Sequence, residues 1–342
     1  MSTLTTGGRV RSLVSRIVVR ENGLESRLSG SLELVEKRLA ECAGRAADPR
    51  VADVVGYLVA AGGKRLRPLL TLVAAEFGDP WAPGVIDAAV VAELTHAASL
   101  YHDDVMDQAR IRHGVPSVNA RWGNSVAVMA GNWLLAMAAQ LSADLVRPAL
   151  PLHAEASERL VRGQLLELVG PTANDGPLPH YFAVISHKTA ALLSLSLKLG
   201  ALQSGASGAV GDALAQYGEH LGVAFQISDD LLDITSSSAL TGKEQGKDLS
   251  VGVAGLPALL ALAGDDPRDG ELRALLRSPL GVTGEDHRRA LRLLRRSAAL
   301  GEARAIRDQR LTMARSALRR LPAGPPRRAL DTLCDVVATR TK

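Results

Sequence analysis

Aromatic residues are scarce in this chain. Three Trp, four Tyr and three Phe make up 3 % of 342 residues. Proteins that hold single-stranded nucleic acid stack bases on aromatic rings, so this composition argues against such a partner despite a formal net charge of +4. Lysine is also rare, with 7 residues against 33 arginines. The arginines at Arg288, Arg289, Arg292, Arg295, Arg296, Arg319 and Arg320 fit solvated helix faces, and no nucleic-acid motif accompanies them. Cysteine is nearly absent. Cys42 and Cys334 follow no ligand spacing, which excludes a cysteine zinc site and a disulfide framework and predicts a reducing, cytoplasmic setting. No apolar run near Arg9, Arg11 and Arg16 is long enough for a signal peptide. The one charge-free stretch of bilayer-spanning length, Trp122 to Ala143, contains Gly123, Asn124, Ser125, Gly131, Asn132, Gln140 and Ser142. It reads as a helix buried in protein, so no transmembrane segment is expected. Sustained alternation of β-branched residues is missing too, which excludes a sheet-rich fold.

What the chain does have is 46 % hydrophobic residues and an abundance of Ala, Leu, Arg and Glu, enough for a large all-α core. Residues 1–28 are weakly patterned and read as a lead-in, with residues 29–342 as a single helical domain. Apolar residues recur at helical spacing from Leu32 to Ala40 and from Val51 to Ala61, where Gly62-Gly63 interrupts. The stretch Gly62-Gly-Lys-Arg-Leu-Arg-Pro68 then sets three cations within four residues beside accessible backbone N–H groups, a composition that can grip a diphosphate. The helix is expected to restart at Leu69.

Three carboxylates at i, i+1 and i+4 interrupt the apolar run Ser99-Leu-Tyr-His-Asp-Asp-Val-Met-Asp107. Asp103 and Asp107 share a helix face, where like charges repel, so a cation is expected between them. The pattern recurs as Asp229-Asp-Leu-Leu-Asp233. Two such faces turned toward each other would cage hard divalent cations, and carboxylates suit Mg²⁺ shared with substrate phosphates. His96 lies two turns before Asp103 and reads either as core or as ligand. Arg110, Arg112 and His113 follow the first motif, and a turn at Gly114 and Pro116 returns them toward the acids. Gln164 and Glu167 sit at i, i+3. Lys188-Thr189 lies in an Ala/Leu helix, where the lysine either snorkels or faces an anion. Phe225-Gln226 precedes the second motif, and Lys243 and Lys247 follow it.

In this order these residues resemble the trans-isoprenyl diphosphate synthase, or polyprenyl synthetase, family, most strongly from Val51 to Asp248. The resemblance implies an all-helical fold around a deep central cavity. It implies a Mg²⁺-dependent transferase that condenses isopentenyl diphosphate with an allylic diphosphate, using about three Mg²⁺ ions. By that likeness Asp103, Asp107, Asp229 and Asp233 hold metal, with Asp104 and Asp230 beside them. Lys64, Arg67 and His96 bind the diphosphate of isopentenyl diphosphate; Arg112, Lys188, Gln226 and Lys243 bind the allylic diphosphate, and Thr189 matches the family's threonine after Lys188. Two further substrate-binding candidates are His113, in place of an arginine that helps hold isopentenyl diphosphate, and Lys247, which stands in for a lysine usual nearby. A homodimer is implied, with transient membrane contact at most for product release. The chain departs from the family at His113, where a second arginine is usual, at Val253, where a lysine is usual, and at Asn132, where aspartate is common. The change at His113 keeps a class I terpene cyclase, acting on one allylic diphosphate, as an alternative. Ala98 and Ser99 border the path of a growing chain, and Ala98 stands where farnesyl-making relatives carry a bulky aromatic, which predicts products of C20 or longer. Tyr101 is rotated away and is expected to pack against a neighbouring helix, while Met137 is a candidate upper limit on length.

Overall fold

The computed structural model describes residues 13–18, 21–172, 175–236, 245–250, 255–278 and 282–340. After a helical turn at 13–17, the helices in chain order are α1 (Asn22–Gly44), α2 (Pro49–Ala61), α3 (Leu66–Ala75), α4 (Val85–Met106), α5 (Val118–Trp122), α6 (Asn124–Asp144), α7 (Ala149–Val169) and α8 (Pro177–Ile185). They continue as α9 (Ala191–Gln203), α10 (Gly208–Thr235), α11 (Lys247–Ser250), α12 (Leu256–Ala263), α13 (Gly270–Leu276), α14 (Gly284–Leu294), α15 (Ala298–Leu318) and α16 (Pro325–Ala338). The only strands among the described residues are β1 (Ile111–Arg112) and β2 (Val115–Pro116), so the all-α expectation holds. The boundary placed at residue 28 falls inside α1, and Val14, Ile17 and Val18 before it are already buried.

Local chemistry sets the ends of the helices around the motifs. Asp48 caps α2 by accepting from the Arg50 backbone N–H at 2.8 Å, Pro49 occupies the first turn, and Gly62 at φ 86° ends the helix. α3 begins at Leu66, earlier than the expected Leu69. Pro68 lies in its first turn, where a missing N–H costs nothing because those donors have no intrahelical partner. α4 ends at Met106, with Asp107 as its cap and Gln108 at φ 49°.

Two compact units divide the chain. The first comprises Met1–Glu158, Leu192–Gly218 and Ala317–Leu333. Within it α4 packs on α3 and along α6, burying Val90, Val91, Leu94, Leu134 and Leu141. The Tyr101 ring is fully buried, and its hydroxyl donates to the Val54 carbonyl at 2.8 Å, tying α4 to α2. The second comprises Arg159–Ala191, Glu219–Ser316 and Cys334–Lys342, with a core of Ile227, Leu231, Leu256, Leu272, Leu294 and Ala303 among others. Here a π-helical turn, Ser186–Ala190, joins α8 to α9. Gly163 and Gly222 permit close packing around that turn, since a Cβ on either would come within 2.6 Å of the Lys188 nitrogen or 2.4 Å of the Ala190 Cα. Among the described residues, two apolar stretches have the length and hydropathy to cross a membrane, Asn124–Asp144 and Pro177–Gln203, and 44 % and 61 % of their most apolar windows are buried in protein.

Candidate active site

The first acidic motif closes α4. Asp103 is half-buried, Asp107 is exposed, and Asp104 has no exposed surface. A hairpin pairing Ile111 with Pro116 and Arg112 with Val115 turns through His113 and Gly114, both at positive φ (52° and 84°). It brings Arg112 back onto Asp104, whose Oδ1 accepts from Nε at 2.9 Å and Nη2 at 2.5 Å. Asn119 donates to the Asp104 carbonyl at 2.9 Å. Asp104 Oδ2 is enclosed and has no hydrogen-bond partner. Arg112, assigned by resemblance to the allylic diphosphate, is here the counter-ion of the motif's second acid.

The glycine loop gathers cations in the same unit, but they do not play equal parts. Lys64 is exposed. Arg65 is 4 % exposed and donates to Glu36, Glu93 and the Val59 carbonyl, so it is not one of the gripping cations that the sequence pattern counted. Arg67 is half-buried, and its Nε is enclosed without a partner. Desolvation pulls the Arg67 guanidinium down to about 10, against a smaller upward pull from Glu93. Burial also holds His96 well below the usual imidazole range, reinforced by Arg67, His113, Arg112 and Arg65. His113 keeps exposed surface, yet partial desolvation first, and then Arg112 and Arg65, lowers it as well. His96 therefore stands neutral in a cationic surrounding that an anion would relieve.

Near Asp103, Ala98 is fully enclosed, whereas Ser99 is half-buried and donates to the His96 carbonyl at 2.8 Å. Met137 on α6 is 8 % exposed. Asn132 on the same helix is exposed, and nothing in the structure explains its replacement of aspartate.

The second motif lies on α10. Asp229 Oδ1 accepts from Arg340 Nη2 at 2.9 Å, and the Arg340 guanidinium stacks 4.2 Å from the Phe225 ring centroid. Asp230, 6 % exposed, accepts from the Tyr181 hydroxyl at 2.6 Å, the Leu256 backbone N–H at 2.9 Å and Gln226 Nε2 at 3.2 Å. Burial raises its carboxyl to about 6, with those donors opposing. Asp233 is half-buried, and its carbonyl accepts from the Gly246 backbone. Thr189 donates to Gln226 Oε1 at 3.1 Å, and Lys188 in the π-helical turn pairs with Glu167 at 2.5 Å. Lys243 and Val253 lie outside the described residues, as does the side chain of Lys247. Sequence reasoning missed Glu93, Asn119, Tyr181 and Arg340, because each acts from a distant place in the chain and carries no local pattern.

Among the described residues, no three Asp, Glu, His or Cys side chains converge to hold a metal by themselves. The donors with accessible surface are the hard carboxylate oxygens of Asp103, Asp107, Asp229 and Asp233, whereas Asp104 and Asp230 are enclosed. That set fits a hard divalent cation completing its coordination with substrate phosphate.

An all-α chain with two acidic motifs and an arginine whose Nε is enclosed near a cation-ringed histidine is compatible with the enzymes that handle diphosphate esters. Residues 48–292 match the Polyprenyl synthetase family. The chain is 42 % identical over 297 residues to a nonaprenyl diphosphate synthase of Mycobacterium tuberculosis, covering 86 % of this chain and 88 % of that one. It is 38 % identical over 307 residues to a dimethylallyltranstransferase of the same organism, covering 89 % and 90 %. A geranylgeranyl pyrophosphate synthase of Corynebacterium glutamicum, crystallised with calcium and isoprenyl diphosphate, superposes with a TM-score of 0.84 at 39 % identity, covering 94 % and 98 %. The chain belongs to the polyprenyl synthetase family, and it is a transferase of the prenyl diphosphate synthase class with the all-α isoprenoid synthase fold.

Proposed function

We propose that this chain is a Mg²⁺-dependent trans-prenyltransferase that condenses isopentenyl diphosphate with an allylic diphosphate to give an all-trans product of C20 or longer. The observation that carries this reading is Arg67, whose enclosed Nε lacks a partner and lies in the cationic surrounding of a neutral His96. A second diphosphate site of this kind is needed only when two diphosphates bind together. Asp103, Asp107, Asp229 and Asp233 are the proposed Mg²⁺ ligands, about three ions in all; the metal would stabilise charge on the departing diphosphate. Arg112, Lys188, Thr189, Gln226, Lys243 and Lys247 orient the allylic diphosphate, with the arginine and lysines opposing the same charge. Lys64, Arg67, His96 and His113 hold isopentenyl diphosphate. The apolar residues around the motifs keep water from the allylic cation.

For product length, Ser99 is the member of the Ala98–Ser99 pair with accessible surface, and its small side chain leaves room for a growing chain. The family match, over residues 48–292, includes residues of both units, and the proposal keeps residues 29–342 as one functional domain. We also propose a homodimer, on the exposed Val161, Leu165 and Leu168 of α7. A cytoplasmic setting accords with Cys42 and Cys334, which form no disulfide.

Purified protein with Mg²⁺, farnesyl diphosphate and labelled isopentenyl diphosphate should incorporate label into a longer prenyl diphosphate, resolved by chromatography of the dephosphorylated alcohols. No incorporation overturns the reading, as do products ending at C15 when dimethylallyl diphosphate replaces farnesyl diphosphate as the primer. His113 favours the cyclase alternative, for which hydrocarbon or alcohol products from an allylic diphosphate alone would be the signature.

A further inference from the structure

We infer that Arg65, although it sits among the cations of the glycine loop, is a positioning residue held by Glu93 and Glu36, and that this buried cluster presents Arg67 and the loop to diphosphate. The inference rests on the proposed isopentenyl diphosphate site.

A guanidinium has five N–H donors, and four of Arg65's are engaged within the protein. Nε donates to Glu36 Oε1 at 2.6 Å and Nη2 to Glu36 Oε2 at 3.1 Å, a two-pronged fork. Nη1 donates to Glu93 Oε1 at 2.9 Å, and Nη2 donates again to the Val59 carbonyl at 2.6 Å. The side chain is 3 % exposed, so a diphosphate cannot reach it without breaking these bonds. They join α1, α2 and α4 at the residue that caps the start of α3.

The Arg65 backbone sits at φ 49°, ψ 38°, left-handed geometry that non-glycine residues adopt only where surroundings hold them there. The ion-pair cluster is that restraint. It reaches the loop directly, because a Cβ built on Gly63 would lie 3.6 Å from both Arg65 Nη1 and the His113 ring. Glu93 serves a second purpose, as the acid that partly offsets the desolvation of Arg67. It also stands one helical turn before His96 on α4.

The ligand and positioning readings give opposite signs for Glu93→Gln. If Arg65 bound diphosphate itself, removing its competing acid would leave KM for isopentenyl diphosphate unchanged or lower it. If Arg65 positions the loop, Glu93→Gln should raise that KM about tenfold, with KM for the allylic diphosphate and kcat at saturation little changed. Arg65→Lys, which keeps the charge and loses the fork, should act similarly, and the double variant should be no worse than the stronger single. Glu36→Gln, at a side chain 38 % exposed and therefore safer for folding, should shift KM in the same direction by a smaller factor.

Calorimetric binding of isopentenyl diphosphate and inorganic diphosphate to the full chain gives a readout independent of turnover, and circular dichroism checks the fold. Unchanged or tighter binding in folded Glu93→Gln or Glu36→Gln protein overturns the inference. Wild-type protein that binds isopentenyl diphosphate without elongating it overturns the proposed reaction alone, because the binding comparison still stands.

Discussion

The two acidic motifs share one pattern and sit in different electrostatic settings. In Asp103-Asp104-Val-Met-Asp107 the second acid is buried against a cation, Arg112. In Asp229-Asp230-Leu-Leu-Asp233 the second acid is buried against neutral donors from Tyr181, Gln226 and the Leu256 backbone, while the cation, Arg340, sits on the first acid. In both, the second carboxylate is an anchor that the fold has enclosed, and the outer carboxylates keep accessible surface. A repeated motif therefore marks repeated chemistry without implying repeated roles for each residue.

The largest expected effect tests what the motifs share. Asp103→Ala and Asp229→Ala should each reduce turnover to below a few per cent of wild type, as expected when a metal ligand is removed. Melting temperature without Mg²⁺ should hold nearly constant for Asp103→Ala, because one acid of a repelling pair is gone. Substantial residual activity in either variant would remove that residue from the ligand set.

The anchors should differ in what their partners are worth. Arg112→Met strands a fully enclosed Asp104 carboxylate and should cost about 3 kcal/mol of stability. Tyr181→Phe removes one donor of three around Asp230 and should cost about 1 kcal/mol. Chemical denaturation of both variants measures the difference, and equal costs would erase the distinction between a charged and a neutral anchor.

The distinction sharpens with pH. Asp230's carboxyl is held up at about 6 from an ordinary 3.8, chiefly by burial, so across that window the folded chain keeps a proton the unfolded chain has lost. Stability should fall as pH rises through it, by about 3 kcal/mol relative to Asp230→Asn, with most of the loss complete above about pH 6. A constant difference between wild type and Asp230→Asn across the window, measured by urea titration in chelator, would contradict this.

The smallest effect concerns Arg340. Its ion pair with Asp229 is partly exposed on the acid side, so Arg340→Gln should change stability by about 1 kcal/mol or less. It should also alter the Mg²⁺ concentration giving half-maximal activity, because the guanidinium and the metal draw on the same carboxylate. An unchanged Mg²⁺ requirement would separate Arg340 from the metal's carboxylate.

Much of this was legible in the chain itself. Helical periodicity and the scarcity of β-branched alternation determined an all-α fold, since amphipathic spacing is a local property. The acids at i, i+1 and i+4, the glycine loop and His96 marked the chemistry through residue type and spacing, and Tyr101 was placed against a neighbouring helix by its angle alone. Tertiary structure decided which members of each motif are turned inward. Arg65 and Arg67 differ by two positions in one basic run, yet one is spent on Glu36 and Glu93 and the other is left with an unpartnered Nε. Asp104 and Asp230 became anchors because Arg112, Tyr181 and the Leu256 backbone reach them. A sequence lists charges, and only the folded chain brings their distant partners within hydrogen-bonding distance.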